Sequence, residues 1–198
     1  MNGHYFLTAP WRRATLGAAL ALPLLFATAA CAPATAPPAV AAAAPTPMKT
    51  AERGRIVIAS QPTLEDLRGL RASGFTDIVN LRSEDEMREE VPFDERAQAA
   101  ALGLGYTQIP IDWTSHPYRQ EVVSKLASVL ESSKGKVLLH CASGGRAGYV
   151  WAAYAVVHDG KTPDAALRSL ELGNVWPMAL EQLTGIPLRV DRDDTRAK

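Results

Sequence analysis

The sequence predicts an α/β domain: a mainly parallel sheet of about four to five strands, covered by helices. Three observations predict it. Short apolar, strand-like runs alternate with helix-spaced runs between Arg55 and Leu183. Several of the helical runs open on a capping residue and end at a glycine, as Thr63 and Gly74 do for the first. The apolar run 137–140 leads into a glycine-bearing loop and then an apolar helix, a layout that presents side chains at the carboxyl edge of a parallel sheet.

Composition bounds the function. The chain has 198 residues, 47% of them apolar, with 21 basic and 21 acidic side chains. This length fits one domain plus extras. The balanced charge offers no basic surplus for nucleic acid and no solvating acidic tail. Two cysteines are too few for a disulfide framework.

Residues 1–30 read as an export signal: Arg12 and Arg13, then an uncharged Ala- and Leu-rich run, then small residues. The apolar run is short for a membrane span and is interrupted by Pro23. Cys31 follows Thr28-Ala29-Ala30. Either Cys31 is lipidated, giving a membrane-anchored periplasmic lipoprotein, or ordinary cleavage nearby releases a soluble one. Residues 31–51 are dominated by Ala, Pro and Thr and read as a semi-stiff tether. The domain is expected over 52–188 and a polar tail over 189–198.

Within the domain, 55–60 reads as a strand broken by Gln61-Pro62. Thr63 and Asp66 have capping-box spacing, and Leu64, Leu67 and Leu70 form an apolar stripe. A second strand over 77–81 ends at Arg82, followed by the acidic run Glu84-Asp85-Glu86 and a charged helical segment interrupted at Pro92. Asp94 caps a helix that stops at Gly103, and 106–111 reads as a third strand. The loop Asp112-Trp113-Thr114-Ser115-His116-Pro117 precedes an amphipathic helix over 118–132. After the Cys141 loop and its long helix come a Pro163-started helix to Gly173 and a short helix over 178–183.

The chemistry concentrates in Cys141-Ala142-Ser143-Gly144-Gly145-Arg146. A tight loop feeding a helix N-terminus aims backbone N–H groups inward and adds partial positive charge. That favours a thiolate at Cys141, the nucleophilic form. Arg146 offers a planar fork for a tetrahedral oxyanion. A buried structural cysteine is the bland alternative. The combination of His140-Cys141, two glycines and a closing arginine makes the reactive reading more specific. If Cys31 is lipidated, Cys141 is the one thiol left in an oxidising compartment, which a used cysteine explains.

These residues resemble the cysteine-dependent dual-specificity and tyrosine phosphatase superfamily. A closer resemblance is to the bacterial phosphatase-like domain named after beta-lactamase-hydrolase-like proteins. The matching pieces are Ser60-Gln61-Pro62-Thr63, Gly74-Phe75, Asn80-Leu81-Arg82, Ile109-Pro110-Ile111-Asp112 and His140-Cys141-Ala142-Ser143-Gly144. The resemblance implies a three-layer phosphatase-type fold and a hydrolase attacking a phosphate monoester, protein-borne or small, through a phosphocysteine. It implies Cys141 as nucleophile, Arg146 as phosphate ligand, and Ala142, Ser143, Gly144, Gly145 and Arg146 as the amide cradle. Asp112 is the expected general acid and His116 the fallback. Arg82 supports the site by contacting an anion or by pairing with Glu84 or a neighbour, and His140 tunes Cys141 or packs as a core histidine.

The loop holds one residue fewer between Cys141 and Arg146 than the superfamily usually has. Ala147 replaces a hydroxyl residue, for which Ser143 would partly substitute. A six-residue loop is also similar to that of rhodanese-type sulfurtransferases, so a persulfide on Cys141 is an alternative, as is an anion-binding module without catalysis. No cofactor or metal is implied, since the histidines are scattered. Trp113, Trp151 and Trp176 either frame a pocket or, for the latter two, pack in the core.

Overall fold

Residues 55–59 and 137–140 carry the apolar density of strands buried on both faces, and the sheet is built around them. The structure is a computed structural model, and it describes residues 48–170 and 176–188. The export signal, Cys31, the tether through residue 47 and the polar tail all lie outside the described residues, and the Pro163-started helix ends at Arg168, short of the expected Gly173.

The elements run β1 Thr50–Arg53, β2 Ile56–Ala59, α1 Leu64–Leu70, β3 Phe75–Asn80, α2 Glu84–Glu90, α3 Glu95–Ala101, β4 Gly105–Gln108, α4 Gln120–Ser132, β5 Lys136–His140, α5 Gly145–Val157, α6 Pro163–Arg168 and α7 Pro177–Thr184. The sheet order is β1-β2-β5-β3-β4. β1 pairs antiparallel with β2, and every other pairing is parallel. β5 therefore lies at the centre, with β2 on one side and β3 on the other, and the Cys141 loop leaves the middle of the carboxyl edge.

The pleat separates two cores. Ile56, Ile58, Val79, Val137 and Leu139 face α4, α5 and α7, with Leu126, Trp151 and Leu180 among their partners. Val57, Ala59, Ile78 and Leu138 face the other way, onto Leu67 and Leu70 of α1 and Ala99 of α3. Helices on both faces make the three-layer α/β arrangement that the sequence predicts.

β1 was not predicted. Thr50-Ala51-Glu52-Arg53 is polar and at most half-buried, and pairing across the Gly54 turn makes it a strand, so the sheet begins inside the stretch read as tether. β4 is shorter than the predicted third strand, ending at Gln108. Pro110 has no N–H to give, yet Ile109 and Ile111 still donate to the carbonyls of Asn80 and Leu81. The chain thus stays tied to the sheet edge up to Asp112. The Thr63–Asp66 capping box forms as read. A second, between Ser83 and Glu86, starts α2.

Candidate active site

Gly144 sets the geometry of the loop. Its φ of +94° is one that L side chains rarely adopt, and it turns the chain into α5. That turn brings the Gly144 N–H to 3.2 Å from the Cys141 sulfur. The first intrahelical bond of α5 runs from the Gly148 N–H to the Gly144 carbonyl. The N–H groups of Gly145, Arg146 and Ala147 thus start the helix without helical partners. On the opposite side, the Gln61 N–H holds the Ala142 carbonyl at 3.1 Å, and the Cys141 N–H reaches the Ala59 carbonyl.

Cys141 is 1% exposed. It does not itself line the cleft of about 660 Å³ formed by Glu86, Ile111, Asp112, Trp113, His116, Tyr118 and Arg146, among others. Two of those side chains are electrostatically coupled to Cys141. It helps raise the pKa of Arg146, behind the larger effect of Glu86. It adds to the burial that pushes Tyr118 up to about 12. Ser143 is exposed and no hydrogen bond joins its hydroxyl to the sulfur, so the expected substitution for Ala147 is not made. The group that does reach the sulfur is the Gly144 N–H.

Arg146 is held by a residue the sequence reading passed over. Glu86 accepts from Nη2 at 2.6 Å and from Nη1 at 2.9 Å, and the Ile111 carbonyl accepts from Nη1 at 2.6 Å. Three of the five guanidinium donors are thereby taken, leaving Nε–H and one Nη2–H for an anion. The Arg146 hydrogen bonds hold the Glu86 carboxyl at about 2, below its ordinary 4.5. Its signal was present in the capping-box spacing from Ser83, yet an acidic run reads first as a solvated helix face.

Arg82 is buried and does not line the cleft. It pairs with Glu90 and lies 3.7 Å from Glu86, so of its two expected roles the salt bridge with neighbours is the one formed. His140 is also buried, with Nε2 2.8 Å from Glu95 Oε1. Trp151 is a core residue. Trp176, expected to pack in the core, is exposed and tilts against Trp113 with ring centroids 5.3 Å apart.

Asp112 faces the cleft as expected, but it is ionised and fully engaged. Its Oδ1 accepts from the N–H groups of Thr114, Ser115 and His116 and from the Thr114 hydroxyl. Its Oδ2 lies 2.6 Å from His116 Nδ1. The His116 side chain leads these contacts in driving the Asp112 pKa far below the usual carboxyl range. The same contacts fold the 112–116 turn and place the Asp112 carboxylate against His116 at the cleft. Among the described residues no cluster of three His, Cys, Asp or Glu side chains could hold a metal.

A family model described as Swiss Army Knife protein, DSP-PTPase phosphatase domain, matches residues 46–181. The chain belongs to this family. Swiss Army Knife phosphatase domains are thus the class of cysteine-dependent phosphatase into which the Cys141 loop falls. The chain is also similar to a beta-lactamase hydrolase-like protein of Xylella fastidiosa, 31% identical over 108 residues, which are 54% of this chain and 24% of the relative. It spans about a quarter of the length of that relative. Among solved structures, it is similar to Tk-PTP in its active form, with a TM-score of 0.55, 23% identity, and coverage of 67% of this chain and 93% of the other. It is likewise similar to the kinase associated phosphatase bearing a serine in place of its catalytic-site cysteine, with a TM-score of 0.54, 19% identity, and coverage of 63% and 83%. These two likenesses show the fold. Neither the sulfur-transfer reading nor the binding-only reading is favoured by membership of the Swiss Army Knife phosphatase family.

Proposed function

We propose that the chain hydrolyses phosphate monoesters through a phosphocysteine at Cys141. The observation that carries this reading is the Gly144 N–H on the sulfur, beside an Arg146 held by Glu86 and the Ile111 carbonyl with two of its five donors left open. A phosphoryl group entering between Arg146 and Tyr118 meets free amides of the α5 N-terminus and the open guanidinium edge. The sulfur attacks phosphorus, an S–P bond forms, and the P–O bond to the leaving group breaks. Water then attacks the phosphocysteine, releasing phosphate and returning the thiolate.

The departing oxygen needs a proton. We assign it to the Asp112–His116 pair, with His116 as donor and Asp112 orienting the ring, because the carboxylate is committed to the turn and both residues line the cleft. The aromatic wall of Trp113 and Tyr118 supports an aryl or otherwise flat leaving group, on a protein or a small molecule.

We further propose export, on the strength of residues 12–31, with Cys31 as the anchoring residue. The test is fractionation of the full chain, in which Cys31→Ser moves the protein from membrane to soluble periplasm; retention in the cytoplasm contradicts export. For the activity, the purified protein hydrolyses p-nitrophenyl phosphate and Cys141→Ser abolishes this while keeping the fold. Turnover unchanged in Cys141→Ser contradicts the reading.

A further inference from the structure

Behind the reactive loop runs a chain of polar side chains that none of the steps above uses. His140, next to Cys141, contacts Glu95 at 2.8 Å, and neither side chain has exposed surface. Among the described residues neither ring nitrogen of His140 nor Glu95 Oε1 makes a hydrogen bond of good geometry, so the two side chains meet as a close buried pair at ion-pair distance. The other Glu95 oxygen accepts from Gln61 Nε2 at 2.8 Å. Gln61 Oε1 accepts from Arg82 Nη1 at 3.0 Å. Arg82 in turn lies against Glu86, the carboxylate that grips Arg146. The chain therefore starts behind the first residue of the loop and ends at the last, with Gln61 as the joint.

We propose that Gln61 is a positioning residue of the reactive loop, its amide joining the Glu95–His140 pair to the Arg82–Glu86–Arg146 chain so that Cys141 and Arg146 are set together. A primary amide carries a donor and an acceptor at one uncharged tip. Between a carboxylate and a guanidinium it fits only one way round, Nε2 toward Glu95 and Oε1 toward Arg82. A glutamate there would repel Glu95, and a lysine would repel Arg82. An apolar side chain would leave Glu95 and Arg82, both buried, each short of a partner. The Gln61 backbone adds a third tie through the Ala142 carbonyl, and Pro62 restricts that backbone to extended geometry.

The sulfur is electrostatically coupled to Arg146 and Tyr118 and is adjoined in sequence by His140, whose partner Glu95 also acts on Tyr106, while Glu86 and Arg82 stand next to Arg146. Loosening the joint removes oriented positive charge from the thiolate, which raises the pH at which it forms. For turnover the proposal rests on the phosphatase reading; for the thiolate it does not.

The test is the rate of iodoacetamide alkylation against pH, followed at the Cys141 peptide by mass spectrometry in the full chain. In Gln61→Met, of similar length, the alkylation midpoint rises by about one pH unit. The kcat for p-nitrophenyl phosphate falls roughly tenfold or more with KM little changed, as expected when an interaction acts in the transition state. Circular dichroism verifies the fold. Gln61→Glu keeps the acceptor for Arg82 but opposes Glu95, and it shifts the midpoint the same way, which covers the case of a Met variant that does not fold. An alkylation midpoint equal to wild type in either folded variant overturns the proposal. A shifted midpoint in a protein without phosphatase activity keeps the positioning role and removes the phosphatase reading; activity with an unshifted midpoint does the opposite.

Discussion

Glu86 and Arg146 form a two-pronged pair, Nη2 to Oε1 at 2.6 Å and Nη1 to Oε2 at 2.9 Å, sixty residues apart in the chain. The Ser83 cap fixes Glu86 at the start of α2, and Gly144 fixes Arg146 at the start of α5. The pair therefore welds two helix N-termini together beside the sulfur. It also spends only one edge of the guanidinium, which is what keeps the other edge aimed.

Removing that weld frees Arg146 to swing. Glu86→Gln keeps one acceptor and loses the charge, and charge-assisted hydrogen bonds contribute about 1.5–3 kcal/mol. The expected outcome is a fall in kcat/KM of roughly ten- to a hundredfold, with weaker inhibition by inorganic phosphate. Steady-state kinetics with phosphate as competitor checks both.

The same pair gives an acid limb to stability. The Glu86 carboxyl is held at about 2, below its ordinary 4.5, chiefly by the Arg146 hydrogen bond. A depressed carboxyl contributes stability that is present above the unfolded value and lost as pH falls through the folded one. Urea midpoints should therefore drop between pH 4.5 and about 2 more steeply in wild type than in Glu86→Gln. Parallel curves would contradict the pairing.

The Asp112–His116 assignment makes a leaving-group prediction. Departure of p-nitrophenolate needs little help from a proton, whereas phenolate needs much. His116→Gln should leave p-nitrophenyl phosphate hydrolysis nearly intact and slow phenyl phosphate by roughly a hundredfold. Asp112→Asn should act in the same direction, since it unpairs the ring and weakens the turn. Equal effects on both substrates would assign these residues to loop folding alone.

Gly144 tests the loop conformation. A Cβ there would meet only ordinary contacts, the nearest being the Ala59 carbonyl oxygen at 3.5 Å, so the cost of Gly144→Ala is one of φ. About 1–2 kcal/mol of destabilisation is expected from forcing an L residue into this region. Thermal melting reads the stability, and slower Cys141 alkylation at neutral pH reads the loss of the N–H aimed at sulfur.

Trp113 is 76% exposed and stands at the cleft between Tyr118 and Trp176. Core burial gives it no reason to be there. Trp113→Ala should raise KM for an aryl phosphate severalfold and leave KM for an alkyl phosphate unchanged, at equal thermal stability.

The Cys141 loop was legible in the sequence because strand, glycine turn and closing arginine are contiguous. The capping box at Thr63 and the two-sided strands were legible for the same reason, since local pattern carried them. What stayed hidden depends on tertiary placement. Glu86 looks like any acid on an exposed helix until α2 is set beside α5, and β1 is a strand only because β2 offers it an edge. Asp112 was found as a cleft residue, yet nothing in Asp112-Trp113-Thr114-Ser115-His116 announced that its carboxylate would be spent on the turn.

The phosphatase reading stands on a covalent bond between phosphorus and the Cys141 sulfur. The most direct measurement is acid quenching during turnover of p-nitrophenyl phosphate, followed by mass spectrometry of the peptide holding Cys141. A phosphoryl adduct is expected on Cys141 in the active protein and none in Cys141→Ser. Steady phosphate release with an unmodified Cys141 peptide at every quench time would contradict it.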